Sequence, residues 1–362
     1  MRITLFIGSL SGGGAERVVC NLANYLSKKG HDVTVLTVSD QKTYELSRSV
    51  KHTVLYGETG SKLPHIIINL LRLLRMNRYF KKAPVDLYIT FLPELNNLIL
   101  SQKKSIKCPI ILAERADPNT YCSASRKNRV LFSKYYKRAD GYVFQTEDAK
   151  EYYENHNIDV TNSRVISNAI NPEFVCEPYK GERRKVIVGA GRLTAQKNFP
   201  LLINAFYAIS NKYPDYTLEI YGDGELKTQL CELVNDLGLN EKVKFLGYVS
   251  NIKEYLQSAS LFVLSSNFEG MPNALMEAMA LGVPVISTDC PAGGSKNLIE
   301  DGENGFLVPV GDVEHLSKSI DLILSDNDLR YKIGTEGRKV ADRLSADKIY
   351  GMWENFILSY EK

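Results

Sequence analysis

No stretch of the 362-residue chain reaches about 18 uncharged apolar residues, so a membrane-spanning helix is not expected. The start, Met1–Gly8, has neither the apolar core nor the cleavage site of a secretory signal. The six cysteines (Cys20, Cys108, Cys122, Cys176, Cys231, Cys290) form no Cys-x-x-Cys pair, and none stands at metal spacing from a histidine. That excludes a disulfide framework and a zinc finger, and suits reduced thiols in a cytosolic protein. No Gly-x-Gly-x-x-Gly is present either. After Gly12-Gly13-Gly14 the third position is Arg17, and no acid ends the second strand unless Asp40 serves, which weakens a nicotinamide-dependent reading. Internal repeats and low-complexity tracts are absent. The single Asp-x-Asp, Asp326-Asn-Asp328, sits between two C-terminal helical patterns and reads as a helix cap; no other acidic or histidine cluster asks for a metal.

What is present is the composition of a soluble globular protein, 44% hydrophobic and 24% charged, on a chain long enough for two cores. The net charge of +3 hides an asymmetry. Residues 1–178 carry 25 Lys+Arg against 17 Asp+Glu (+8), and residues 179–362 carry 20 against 25 (−5). A basic half invites an anionic surface or acceptor. Leu63–Lys82 mixes Ile66, Ile67, Leu70, Leu71, Leu73 and Leu74 with Arg72, Arg75, Arg78, Lys81 and Lys82. This pattern suits either a basic amphipathic helix on an anionic membrane or a helix packed on its own domain with its cations extended. A second basic group spans Arg126 to Arg138.

Strand and helix patterns alternate along the chain, the rhythm of a parallel sheet covered on both faces. Strands are predicted at Ile3–Gly8, Val33–Val38, Leu87–Phe91, Ile110–Ala113 and Gly141–Gln145. After the polar linker 172–184 the rhythm restarts, with strands at Lys185–Gly189, Thr217–Tyr221, Lys242–Leu246, Leu261–Ser265 and Pro284–Thr288. The domains are therefore expected at 1–178 and 179–345. The last helix, with Ile349, Met352, Trp353, Phe356 and Ile357 on one stripe, is expected to pack back onto the first.

Three loops carry candidate chemistry. Gly12-Gly13-Gly14 opens a helix and can admit an anion or a bulky sugar to the backbone N–H groups. Arg192 and Lys197 follow a strand, where an Arg can fork onto phosphate oxygens and a Lys supplies a compact charge. Glu269 precedes the turn Gly270-Met271-Pro272, and Pro272 fits the first turn of a helix that runs through Asn273, Ala274, Leu275 and Glu277. Two carboxylates can hold sugar hydroxyls, and an acid at Glu277 on an apolar helix is costly unless something donates to it. Asp223 and its flanking Gly222 and Gly224, and Gly293-Gly294, either line the same crevice or are plain turns.

These residues resemble those of the glycosyltransferase family 4 group. The likeness runs through Gly12-Gly13-Gly14-Ala15-Glu16-Arg17, Gly191-Arg192-Leu193 with Lys197-Asn198, Gly222-Asp223-Gly224, Phe268-Glu269-Gly270-Met271-Pro272, Glu277 and Gly282–Ile286. It implies an α/β fold of two Rossmann-like domains facing across a cleft (GT-B). A nucleotide sugar, most simply UDP-linked, would be held by the C-terminal domain. Arg192 and Lys197 would grip the diphosphate, Glu277 the ribose and Glu269 the donor sugar, with Gly13, Gly14 and residues 270–275 completing the donor site. The resemblance further implies retention of configuration with no metal or other cofactor. The expected acceptor is a polyprenyl-diphosphate-linked glycan at the cytoplasmic face of a membrane; nucleic acid is not an expected partner. One departure concerns the acceptor side. Many relatives carry a histidine after a strand and a glutamate; here Glu114 is followed by Arg115, and these two are the acceptor-side candidates, where an Arg can contact the acceptor or the leaving phosphate but cannot act as a general base. A protein that binds nucleotide sugar or glycan lipid without turnover is the alternative.

Overall fold

The computed structural model describes residues 1–56 and 65–361, with side chains of the helix His65–Lys82 described from Leu74 onward. The chain divides into two compact units, Met1–Asn168 with Asp347–Lys362, and Ala169–Ala346. The division falls at Asn168, ahead of the polar stretch 172–184, and the end of the chain belongs to the first unit.

The first unit is built on seven parallel strands: β1 (Arg2–Ile7), β2 (Asp32–Thr37), β3 (Lys51–Val54), β4 (Leu87–Phe91), β5 (Ile110–Ala113), β6 (Gly141–Phe144) and β7 (Ser163–Val165), in the order 3-2-1-4-5-6-7. β4, β5 and β6 are buried along their whole length, as strands covered on both faces must be. The helix Gly14–Lys28 packs its Val18, Val19, Leu22, Ala23 and Leu26 inward at helical spacing.

Part of the basic segment Leu63–Lys82 lies outside the described residues. Of what is described, Met76 and Phe80 are buried, and the Phe80 ring meets Tyr88 edge-on at 5.3 Å. Leu74, Arg75, Lys81 and Lys82 are exposed. The last helix, Ala346–Leu358, buries Ile349, Trp353, Phe356 and Ile357. Met352, expected on the same stripe, is 44% exposed. The buried positions at i, i+4, i+7 and i+8 leave it on the flank.

The second unit repeats the plan with six parallel strands: β8 (Arg184–Ala190), β9 (Thr217–Tyr221), β10 (Val243–Gly247), β11 (Ala259–Leu264), β12 (Val285–Thr288) and β13 (Phe306–Val308), in the order 10-9-8-11-12-13. Its core joins Ile187, Leu202, Phe206, Leu218, Leu261, Val263, Ile286 and Ile320. In each sheet the strand order reverses once, between β1 and β4 and between β8 and β11. Open α/β sheets bind ligands outside the carboxyl ends of the strands at such a reversal. Asp326 caps the helix Asn327–Gly337, accepting from Leu329 N at 2.9 Å, so the lone Asp-x-Asp is a cap. Among the described residues no helix is long and apolar enough to cross a membrane, and no group of three His, Cys, Asp or Glu converges to hold a metal.

Candidate functional site

Arg192 and Lys197 lie in the loop that leaves β8, and Glu269 in the loop that leaves β11. These are neighbouring strands at the reversal, so residues more than seventy positions apart in sequence meet. Lys197 Nζ donates to Glu269 Oε1 at 2.5 Å, with side chains 17% and 9% exposed. Ser266 Oγ donates to the same oxygen at 2.6 Å. The other carboxylate oxygen, Oε2, has no hydrogen bond among the described residues. Arg192 is exposed, and its guanidinium has no partner among them.

Side-chain amides stitch the two loops together. Asn267 N donates to Gln196 O at 2.8 Å, Asn267 Nδ2 to Ala195 O at 2.8 Å, Gln196 Nε2 to Phe268 O at 3.1 Å, and Asn198 Nδ2 to Asn267 Oδ1 at 2.9 Å. Asn198 also caps the helix Phe199–Ile209 from a left-handed backbone (φ 44°), a conformation Asn tolerates better than most residues. Ser265 Oγ donates to Lys197 O at 2.9 Å. None of Gln196, Ser266 or Asn267 was singled out from the sequence. Their polar side chains between two motifs were the available signal.

The two glycine turns support these loops from behind. A Cβ on Gly222 would stand 2.0 Å from the carbonyl oxygen of Gly191, and one on Gly294 only 1.9 Å from that of Gly270. Such contacts leave room for glycine alone. Glu269 N donates to Pro291 O at 2.6 Å, and Ala292 N returns a bond to Glu269 O at 2.9 Å. Burial, and next the Glu269 carboxylate, push the Cys290 thiol up to about 11, so this cysteine stays protonated at neutral pH.

Beyond the turn, Met271 and Pro272 are buried and the helix Asn273–Ala280 begins. Glu277, one turn in, is 5% exposed among Leu275, Met276, Ala278 and Met279. Leu275, expected in the donor site, is fully buried, backbone included, and faces the core. Asn273 and Ala274 are half-buried at the positive end of the helix, which favours anions and hydroxyl oxygens.

The remaining candidates belong to the first unit. Gly13 caps the helix Gly14–Lys28, and a Cβ there would meet the Glu16 carboxylate at 2.0 Å. Glu114 and Arg115 follow β5. The Glu114 carboxylate is turned inward: Oε1 accepts from Arg115 N at 3.0 Å and Ala116 N at 3.1 Å, and Oε2 from the Tyr153 hydroxyl at 2.6 Å. Burial raises its pKa above the usual carboxylate range. Glu114 therefore shapes the loop that carries Arg115 and does not present its carboxylate to an acceptor. Arg115 is half-buried, its guanidinium 5.3 Å from the ring of Trp353 and 5.6 Å from that of Phe91.

Two Rossmann-like units, one with a cation–carboxylate pair at its strand reversal and a buried acid on the helix that follows, are the arrangement the sequence resemblance implies for a GT-B glycosyltransferase. Sequence-family comparison agrees: Glycosyltransferase Family 4 matches residues 12–174, and Glycosyl transferases group 1 matches 175–340. The chain belongs to this family 4 group of glycosyltransferases. It is similar to an uncharacterized glycosyltransferase of Haemophilus influenzae, with 28% identity over 98% of this chain and 99% of that one. It is equally similar to a Campylobacter jejuni alpha-1,4-N-acetyl-D-galactosaminyltransferase named for a GalNAc-GalNAc-diNAcBac-PP-undecaprenol substrate, with 28% identity over 99% and 98%. In fold it resembles HepE of Anabaena solved in complex with UDP, with a TM-score of 0.83 at 18% identity over 99% of this chain and 100% of that one.

Proposed function

We propose that this glycosyltransferase moves a hexose or N-acetylhexosamine from a UDP-sugar to a lipid-linked glycan, with retention of configuration and without a metal ion. The observation that carries the reading is the Lys197–Glu269 pair at the strand reversal, with Arg192, whose guanidinium has no partner among the described residues, in the same loop as Lys197. Lys197 Nζ has donors beyond the one given to Glu269 and would meet the diphosphate with Arg192. Glu269 keeps Oε2 for a donor-sugar hydroxyl, and Glu277 would take the ribose hydroxyls. The C1–oxygen bond to the diphosphate breaks as the acceptor oxygen approaches the same face of an oxocarbenium-like sugar. The acceptor hydroxyl proton passes to the departing phosphate oxygen. Charge on that leaving group is met by the two cations and the N–H groups of the helix Asn273–Ala280, the part a metal plays elsewhere. The Campylobacter relative's lipid-diphosphate substrate supports the acceptor class.

Thermal unfolding in the presence of UDP, GDP, ADP and dTDP, each with and without Mg²⁺, tests the donor. A ligand at a hundred times its Kd stabilises by about 2.7 kcal/mol. We expect a rise in melting temperature with UDP that Mg²⁺ does not change. No response to any nucleotide would remove the donor site from this loop pair. A non-catalytic binding protein is the second reading, favoured by Arg115 at the position where the family resemblance implies a histidine. Release of UDP only when an acceptor is supplied separates the two.

Membrane attachment rests on the +8 half and the exposed cations after Leu74. Co-sedimentation with vesicles is expected to need anionic lipid and to weaken as salt rises. Equal pelleting with neutral vesicles would contradict it.

A further inference from the structure

The guanidinium of Arg115 is held on one side only. Nη1 donates to Asn168 Oδ1 at 2.8 Å, and Gln145 Nε2 donates to the same oxygen at 2.8 Å. Among the described residues Nε and Nη2 are covered and have no hydrogen-bond partner, and Gln145 Oε1 has none either. Nε and Nη2 form the edge of a guanidinium whose two N–H bonds run parallel, the fork that matches two oxygens of one anion. The plane of that fork is set by the rings of Trp353 and Phe91. Arg115, Gln145 and Asn168 follow β5, β6 and β7, and Phe91 ends β4, so the cluster sits at the carboxyl ends of adjacent parallel strands.

Among the described residues no carboxylate forms an ion pair with Arg115. Glu114, whose charge favours the protonated guanidinium, is spent on backbone N–H groups and Tyr153. Burial lowers the Arg115 pKa to about 10, so it remains protonated at neutral pH. A covered cation whose best two donors are unpaired is expensive for a protein to keep without a ligand to meet it.

We propose that the Nε–Nη2 edge of Arg115, with Gln145 beside it, is a subsite for a phosphoryl oxyanion in the first unit. This rests on the transferase reading only for the source of the phosphoryl group, which is the acceptor's lipid diphosphate or the donor's. Arg115 is a binding group here and moves no proton.

Trp353 is the single tryptophan of the chain and lies 5.3 Å from the guanidinium, so its fluorescence reports on this subsite. The test is a titration of the full chain with inorganic diphosphate at constant ionic strength, following Trp353 emission. A saturable change is expected that chloride and malonate do not reproduce. Arg115→Lys keeps the charge and loses the fork, and should weaken the apparent affinity by about tenfold or more. Should that variant fail to fold by circular dichroism, Asn168→Asp gives the cation an internal counter-charge and should weaken binding likewise. The Trp353 response is expected to persist in Lys197→Ala, so a failure of the donor assignment in the second unit stays separate from a failure here. In that variant, a response to a short prenyl diphosphate and not to UDP assigns the oxyanion to the acceptor, and the reverse assigns it to the donor. No saturable change with diphosphate, an equal change with malonate, or unaltered affinity in Arg115→Lys overturns the proposal.

Discussion

Lys197→Ala is expected to lower turnover by about 10²–10³-fold, the usual effect of removing one fixed donor from developing oxyanion charge. The structure adds a second consequence. Lys197 holds Glu269 Oε1 at 2.5 Å in a pair that is mostly buried. Removing the cation leaves a carboxylate with Ser266 Oγ alone on that oxygen, at a cost of about 1–3 kcal/mol. Activity and stability would then fall together, and the single variant cannot separate them. Lys197→Met with Glu269→Gln can. Replacing both charges by neutral groups of similar size restores much of the stability, because no uncompensated charge is left behind. It restores no charge opposite the leaving diphosphate. The expected result is a double variant that melts close to the parent and still turns over slowly, measured by unfolding and by UDP release. A double variant that recovers both would reduce the pair to a structural ion pair.

Why this pair escaped a reading of the sequence, although both members were legible, is a matter of distance along the chain. Arg192, Lys197, Glu269 and Glu277 stand beside glycines and strand ends that mark them one at a time. What joins Lys197 to Glu269 is the reversal of strand order between β8 and β11, a property of topology that no local pattern carries. The same holds for Asn198 with Asn267, and for Gly294 with Gly270.

The strands show a related limit. Long central strands such as β4 and β11 are buried throughout and read as apolar runs. The three that were not anticipated, β3, β7 and β13, are four, three and three residues long. All lie at sheet edges. An edge strand has one neighbour and one partly wet side, so it needs neither length nor a continuous apolar run. Glu114 misled for the opposite reason. The resemblance sets Glu114 on the acceptor side, whereas its oxygens serve two backbone N–H groups and the Tyr153 hydroxyl, a partner from 39 positions away.

Gly294→Ala is expected to be among the most damaging changes that remove no functional group. Its Cβ would stand 1.9 Å from Gly270 O and 2.9 Å from Pro272 Cδ. Neither atom belongs to a flexible side-chain tip, so the backbone itself must give way. Overpacking of this kind costs about 1–3 kcal/mol, which for a unit of this size lowers the melting temperature by about 2–4 °C per kcal/mol. The segment pushed aside carries Glu269 on one side and the start of the helix that bears Glu277 on the other. A displacement of about 1 Å at a reacting centre can cost about 10²-fold in rate, so kcat/KM should fall by that order although Lys197, Glu269 and Glu277 are all present. Gly238→Ala supplies the comparison. It lies in the same unit at φ 67°, with nothing within 4 Å of the added carbon, so it bears backbone strain of about 1–2 kcal/mol and no collision. Its variant should melt somewhat lower and turn over normally. If Gly294→Ala also kept normal turnover, the close approach of the two glycine turns would not be what holds the Glu269 loop in its working position.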